Sequence, residues 1–251
     1  MIGPRKVDKP LVLYGYGKLG HLAEEIFKEL KIPIHGIVDK LTYWAKDSHL
    51  PKDPIVAVCV ASEPYSKIVE HVKEIGFSDI APVYDIIEAY PEVGIHNGWF
   101  AGQLSPEDRA GISAVSLGFM DKLSITHYYA FVDWRKYHDE IDYVPEASEN
   151  LSSTLADIRR RQRVFHYHDY PIANVTIHTE GCELKTLEEN IGIIKQARPE
   201  IKTACYHSRD GLWAIEKFLM DSLPDYLWRF RMTAYMGQGA YIYGYPKERA
   251  L

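Results

Sequence analysis

Cysteine is scarce: Cys59, Cys182 and Cys205 are the three in a chain of 251 residues. An odd number, with no pair at C-x-x-C spacing, argues against a disulfide framework and reads as reduced thiols in a cytosolic protein. Long apolar runs are missing too. None approaches the roughly 18 residues of a membrane span, and Met1-Ile2-Gly3-Pro4-Arg5-Lys6 has no apolar signal core. The expectation is a soluble, cytoplasmic protein without a membrane partner. Positive charge is not in excess: 29 Lys and Arg stand against 35 Asp and Glu, for a net charge of -6 and a pI near 6.0. That balance offers no broad basic face for a phosphate backbone, so nucleic acid is excluded as a partner. The one basic run, Arg159-Arg160-Arg161-Gln162-Arg163, reads as a solvated helix face. No internal repeat or low-complexity tract occurs.

What remains is an ordinary globular composition, 46% hydrophobic and 25% charged. The length allows one large domain or two small ones. Leu11 to Tyr14 is a short apolar run that ends in glycine, as a buried strand does. From Lys18 to Lys31, Leu19, Leu22, Ala23, Ile26, Phe27 and Leu30 form one stripe of an amphipathic helix. Pro33 to Val38 and Ile55 to Val60 read as strands, Pro64 to Ile75 as a helix, and Ile80 to Val83 as a strand. This alternation predicts a parallel sheet with right-handed crossovers. Tyr90 to Phe119 is rich in Gly, Pro and Ser and reads as a connector. Leu117 to His138 reads as an aromatic-rich helix, with a boundary within 90–150. Alternation returns with a strand at Val175 and Ile177, a helix from Glu183 to Gln196, a strand from Ile201 to Tyr206 and a helix from Gly211 to Met220. Leu227 to Tyr235 and Ala240 to Tyr245 read as a closing antiparallel pair. Trp99, Trp134, Trp213 and Trp228 are expected to be packing residues.

The loop Gly15-Tyr16-Gly17-Lys18-Leu19-Gly20 follows a strand and opens a helix, and Asp39 closes the next strand about 20 residues on, the context a dinucleotide fingerprint requires. Gly15 permits the tight turn, Gly17 the approach of a pyrophosphate, and Gly20 close packing of helix on strand. Lys18 begins a helix whose N-terminal N–H groups and dipole favour an anion. Asp39 is placed to accept from ribose hydroxyls. The alternative is that the glycines only make a tight turn. Adenine dinucleotides, nucleotide sugars and S-adenosylmethionine all suit such a loop. A methyl-donor loop ordinarily follows a carboxylate, and Leu13 and Tyr14 stand there instead.

Polar residues gather near the later strands. His166-Tyr167-His168-Asp169 and His178-Thr179-Glu180-Gly181-Cys182-Glu183 each allow i, i+2 pairs on one strand face. Imidazole with carboxylate suits Zn²⁺ or Mn²⁺. Two unrelated polar sets at strand ends are the plainer reading, so no metal ligand is assigned. His207 ends the next strand, where α/β sheets place functional residues. With His178 it is a candidate general base for a hydroxyl; a structural histidine at a strand end fits equally. Glu180, Glu183, His178 and His207 are expected to face one cleft, within about 10 Å of each other.

The run Val175-Thr176-Ile177-His178-Thr179-Glu180-Gly181-Cys182-Glu183-Leu184, with Pro199, Tyr206-His207, Asp210, Leu212-Trp213 and Tyr226, resembles the end of the FkbM-type methyltransferase family. His178 stands where that family has an aspartate. The glycine-loop unit resembles the domain that often precedes such enzymes, and the Lys122 to His138 segment with Trp134-Arg135 resembles the helix between the two. The resemblance implies S-adenosylmethionine-dependent O-methyl transfer to a sugar or natural-product hydroxyl. Between Pro145 and Asn174 there is no glycine and less than the roughly 30 residues of a βαβ unit, so no methyl-donor loop is placed there. The expected fold class is therefore α/β: a Rossmann-like N-terminal βαβ half (1–90), a helical connector (91–150) and a truncated methyltransferase-like α/β half (151–251). The cofactor, S-adenosylmethionine or an NAD-type dinucleotide, stays undecided. Three functions stay open: methyl transfer, a catalytically inert module binding NAD or a nucleotide sugar, and a metal-dependent enzyme using the His and Glu set. The expected partner is a small-molecule substrate or sugar nucleotide, and a homo-oligomer is left open.

Overall fold

The computed structural model describes residues 3–39, 43–45, 50–140, 143–149 and 174–249. His166, His168, Asp169 and the Arg159 to Arg163 run lie outside the described residues. The chain divides into two compact units, 1–100 with 137–140, and 101–136 with 141–251.

The first unit holds strands β1 (Leu11–Tyr14), β2 (Ile34–Val38), β3 (Tyr43–Ala45), β4 (Ile55–Val58) and β5 (Asp79–Pro82) in the order β3-β2-β1-β4-β5. β1 pairs in parallel with β2 and β4, and β4 with β5, while β3 adds an antiparallel edge. Helices α1 (Lys18–Glu29) and α2 (Tyr65–Glu74) are the crossovers, and α3 (Val83–Glu88) follows β5 directly. β1 and β4 are apolar at every position because helices cover both sheet faces: Leu11, Leu13, Ile55 and Ala57 are buried with Ala23, Ile26 and Phe27 of α1. The periodicity of Lys18 to Lys31 thus names the face that packs.

The second unit opens with helices α4 (Pro106–Leu117) and α5 (Lys122–Tyr137), and its sheet comprises β6 (Asn174–Ile177), β7 (Glu200–Ala204), β8 (Tyr226–Met232) and β9 (Ala240–Pro246), ordered β6-β7-β9-β8. β6 and β7 are parallel, joined by the helix Glu183–Ala197; β9 runs antiparallel between β7 and β8. Among the described residues the two half-sheets are separate sheets.

α4 corrects the reading of Tyr90 to Phe119 as a connector. Ser105 accepts from the Asp108 N–H at 3.0 Å, Asp108 accepts from the Ser105 N–H at 2.9 Å, and Pro106 stands in the first turn. This capping box starts a helix inside a stretch whose Gly, Pro and Ser content reads as breaker. Gly111 is there for packing: a Cβ would come within 2.4 Å of the Trp213 ring.

α5 anchors the second unit. Tyr128 and Phe131 pack on Phe230 of β8 with ring centroids 5.2 and 5.8 Å apart. Arg135 is buried at 1% exposure, and its Nη2 donates to the carbonyls of Tyr206 and Gly237, each at 2.9 Å. A guanidinium in the interior is tolerated only when such acceptors meet it. Here it ties the helix to the chain just past β7, where His207 lies.

Candidate functional site

Two sites follow from the sheet topology. In the first unit, chain order reverses between β1 and β4, since β2 lies on one side of β1 and β4 on the other. Ligands of open α/β sheets enter beyond the carboxyl ends of strands at such a switch point. The glycine loop occupies that position. Gly15 has φ +92°, and a Cβ on it would stand 2.3 Å from Val60 Cγ2. A Cβ on Gly20 would stand 2.4 Å from the Gly15 carbonyl oxygen, so α1 seats directly on the turn. Gly17 differs: a Cβ there would meet nothing within 4 Å among the described residues, and its φ of -78° and ψ of -157° are extended. Gly15 and Gly20 are thus demanded by the fold itself, and Gly17 is not. Gly15→Ala is accordingly expected to cost about 2 kcal/mol of stability, from the positive φ and the contact with stiff Val60. Urea unfolding measures it.

Asp39 closes over this loop, its Oδ2 accepting the Tyr16 N–H at 2.8 Å, while Gly15 N–H donates to the Val38 carbonyl at 2.8 Å. Lys18 is exposed at the start of α1, where no side chain caps the helix. Tyr16 lies against His21, ring centroids 4.1 Å apart, and its hydroxyl bonds Glu24.

The second site lies at the carboxyl ends of β6 and β7. The expectation of i, i+2 alternation along a strand is corrected here. β6 ends at Ile177, and the chain turns through Glu180 at φ +48° and Gly181 at φ +96°. That turn, not strand pleating, brings His178 and Glu180 together. Glu180 Oε1 lies 3.2 Å from His178 Nε2, and its Oε2 lies 3.5 Å from His207 Nε2. The two imidazole centroids are 4.6 Å apart. Glu180, His178 and His207 therefore share one place, as their strand-end positions suggest.

Glu183 sets this arrangement, a role that spacing alone does not reveal. It opens the helix Glu183–Ala197 and is 1% exposed. One carboxylate oxygen accepts from the Thr179 N–H at 2.9 Å and meets His207 Nδ1 at 2.7 Å; the other accepts from the Gly181 N–H at 2.9 Å. Burial pushes its pKa upward, but the bonds from His207 and Thr179 prevail and hold it below the ordinary glutamate value. His207 is almost fully buried, whereas Glu180 and His178 reach solvent. Burial, then the neighbouring His207, holds the His178 pKa down against the pull of Glu180. Tyr206 and Tyr241 flank His178, with ring centroids 6.0 and 6.3 Å away. Glu183→Gln keeps the shape but replaces one acceptor oxygen with a donor. The expected cost is about 2 kcal/mol in chemical unfolding, since a buried N–H loses its partner.

Among the described residues, no helix is long and apolar enough to cross a membrane. No protein-family model matches the chain, and no curated protein matches it. Among solved structures, the chain is similar to the crystal structure of methyltransferase FkbM from Methylobacillus flagellatus KT, with a TM-score of 0.50 and 10% sequence identity over 94% of this chain and 90% of that one. The chain has the α/β fold of the FkbM-type methyltransferases.

Proposed function

We propose that the protein binds an adenine dinucleotide of the NAD type at the loop Gly15 to Gly20. The observation that carries this reading is Gly17. Its outward face is open at the switch point of a parallel sheet, while Gly15 and Gly20 are closed in by the protein's own atoms. A pyrophosphate would lie against Gly17 and the first turn of α1, where backbone N–H groups and the helix dipole favour anions. Asp39 would accept from the ribose hydroxyls, which suits a free 2′-hydroxyl and repels a 2′-phosphate. A thermal-shift series with NAD⁺, NADP⁺, S-adenosylmethionine and UDP-glucose tests this. At 100 times its dissociation constant a ligand adds about 2.7 kcal/mol, or roughly 5–10 °C for a chain of this size. NAD⁺ is expected to give the largest shift. No shift with any of the four overturns the reading.

A second reading is S-adenosylmethionine-dependent O-methyl transfer to a sugar or natural-product hydroxyl. The fold likeness to an FkbM methyltransferase favours it. In this reading His207, oriented by Glu183, takes the hydroxyl proton on Nε2 beside Glu180. The sheet of the second unit speaks against ordinary turnover. Its described strands place β6 at the edge, so they contain no parallel switch point for a donor. Methyl transfer from labelled S-adenosylmethionine to a panel of sugar hydroxyls is expected to be absent or very slow. Saturable S-adenosylmethionine binding in calorimetry would favour this second reading over the first.

A further inference from the structure

The cluster at the ends of β6 and β7 brings two imidazoles and two carboxylates together. His178, Glu180 and His207 each offer one ligand atom, and these atoms lie within 4.8 Å of one another. Glu183 is a buried carboxylate facing His207 Nδ1 at 2.7 Å, so that nitrogen is engaged and Nε2 is the one turned toward the cluster. Nε2 lies 3.5 Å from a Glu180 oxygen, and the same carboxylate faces His178 3.2 Å away on its other side. Such a convergence is stable when a cation sits in the middle.

We propose that His178, Glu180 and His207 form a three-ligand site for a divalent cation of the zinc class, with a further coordination position open to solvent. The spacing is within side-chain adjustment of a tetrahedral site. Ligand atoms 2.0–2.2 Å from a tetrahedral ion are about 3.3 Å from one another; the two Glu180 oxygens lie 3.2 Å from His178 Nε2 and 3.5 Å from His207 Nε2, and with one atom from each residue the set spans no more than 4.8 Å, so the exposed His178 and Glu180 side chains close in on the ion. The donor set selects the metal: two imidazoles and one carboxylate suit Zn²⁺, Co²⁺, Mn²⁺ or Fe²⁺, whereas Mg²⁺ and Ca²⁺ prefer oxygen throughout. Glu183 completes the arrangement as the carboxylate behind a ligating histidine, fixing tautomer and ring orientation. It is itself held by the Thr179 and Gly181 N–H groups, so the imidazole it orients is rigid. The solvent-facing exposure of Glu180 and His178, with side chains 63% and 35% accessible, gives the ion a way in.

The test uses the full chain, stripped with chelator and titrated with Zn²⁺ in a calorimeter and with Co²⁺ in a visible spectrophotometer. One ion per chain is expected, with the intense visible bands of four-coordinate Co²⁺. Glu180→Gln and His178→Asn, both at exposed positions that leave the core intact, are each expected to weaken Zn²⁺ by at least about tenfold. Cys182→Ala, at an exposed thiol beside the cluster, is expected to leave affinity unchanged. No binding by folded protein, equal affinity in wild type and Glu180→Gln, or loss of affinity only in Cys182→Ala would each overturn the site. The measurement needs no nucleotide, so its outcome is separate from that of the glycine-loop proposal.

Discussion

Gly17→Val is expected to lower affinity for the stabilising nucleotide by more than about 100-fold while leaving the melting temperature of the free protein within a degree or two. The two halves of this result have different causes. A Cβ at position 17 meets no described atom within 4 Å, and the backbone there is extended, a conformation that a β-branched residue accepts readily. The fold therefore tolerates the change. A phosphate packed against that face does not, because the branched side chain fills the space through which the α1 N–H groups are reached. A loss of two hydrogen bonds to a charged group, at about 1.5–3 kcal/mol each, accounts for two or more orders of magnitude. The pairing with Gly15→Ala is the control. That change strikes Val60 and the positive φ of the turn, so it lowers stability in the absence of ligand. Calorimetry of both variants with the nucleotide that stabilises the wild type most checks the expectation. Unchanged affinity in Gly17→Val would remove the loop as the binding site.

Why the loop was legible and other features were not follows from the range of the forces involved. β1, the glycine turn and α1 announce themselves within 20 neighbouring residues: an apolar run, positive-φ glycine, a helical stripe. β6 and β7 are legible in the same way, and strand-end topology then places His178, Glu180 and His207 side by side. α4 is lost because its signal is a four-residue capping box followed by a glycine needed for contact with a distant tryptophan. Gly111 reads as a breaker until Trp213 is seen against it. Edge strand β3 has three residues, too few for any period to show. Arg135 is opaque for a stronger reason. Its partners, the Tyr206 and Gly237 carbonyls, lie 71 and 102 positions away. A cation in an aromatic helix reads as surface until tertiary structure supplies acceptors. Glu183 is expected near His207 from the strand-end topology, and what only the fold shows is that it is buried and holds the His207 ring.

The stability of the wild type is expected to fall as pH rises from about 5 to 8, and Glu216→Gln is expected to abolish that part of the fall. Glu216 sits near the start of the helix Ala214–Ser222 with no measurable exposure. Among the described residues neither carboxyl oxygen has a hydrogen-bond partner. The Cys205 thiol beside it, itself pushed up by burial and then by Glu216, offers little stabilisation to an anion. Burial raises the Glu216 pKa to about 8, so the folded protein holds the proton at neutrality while the unfolded chain, with a pKa near 4.5, has released it. A raised carboxyl pKa stabilises the fold fully below the unfolded value, and the stability is lost as pH climbs toward the folded value. Across that window the loss is about 1.4 kcal/mol per pH unit, reaching roughly 3 kcal/mol at pH 7. Glutamine has the same shape and no proton to lose. The variant should match wild type near pH 4.5 and exceed it by roughly 3 kcal/mol at pH 7. Urea unfolding of both proteins at several pH values, followed by tryptophan fluorescence, gives the difference curve directly. A difference that stays flat from pH 5 to 8 would mean that Glu216 is ionised in the fold, and that a positive charge or donor reaches it in the interior.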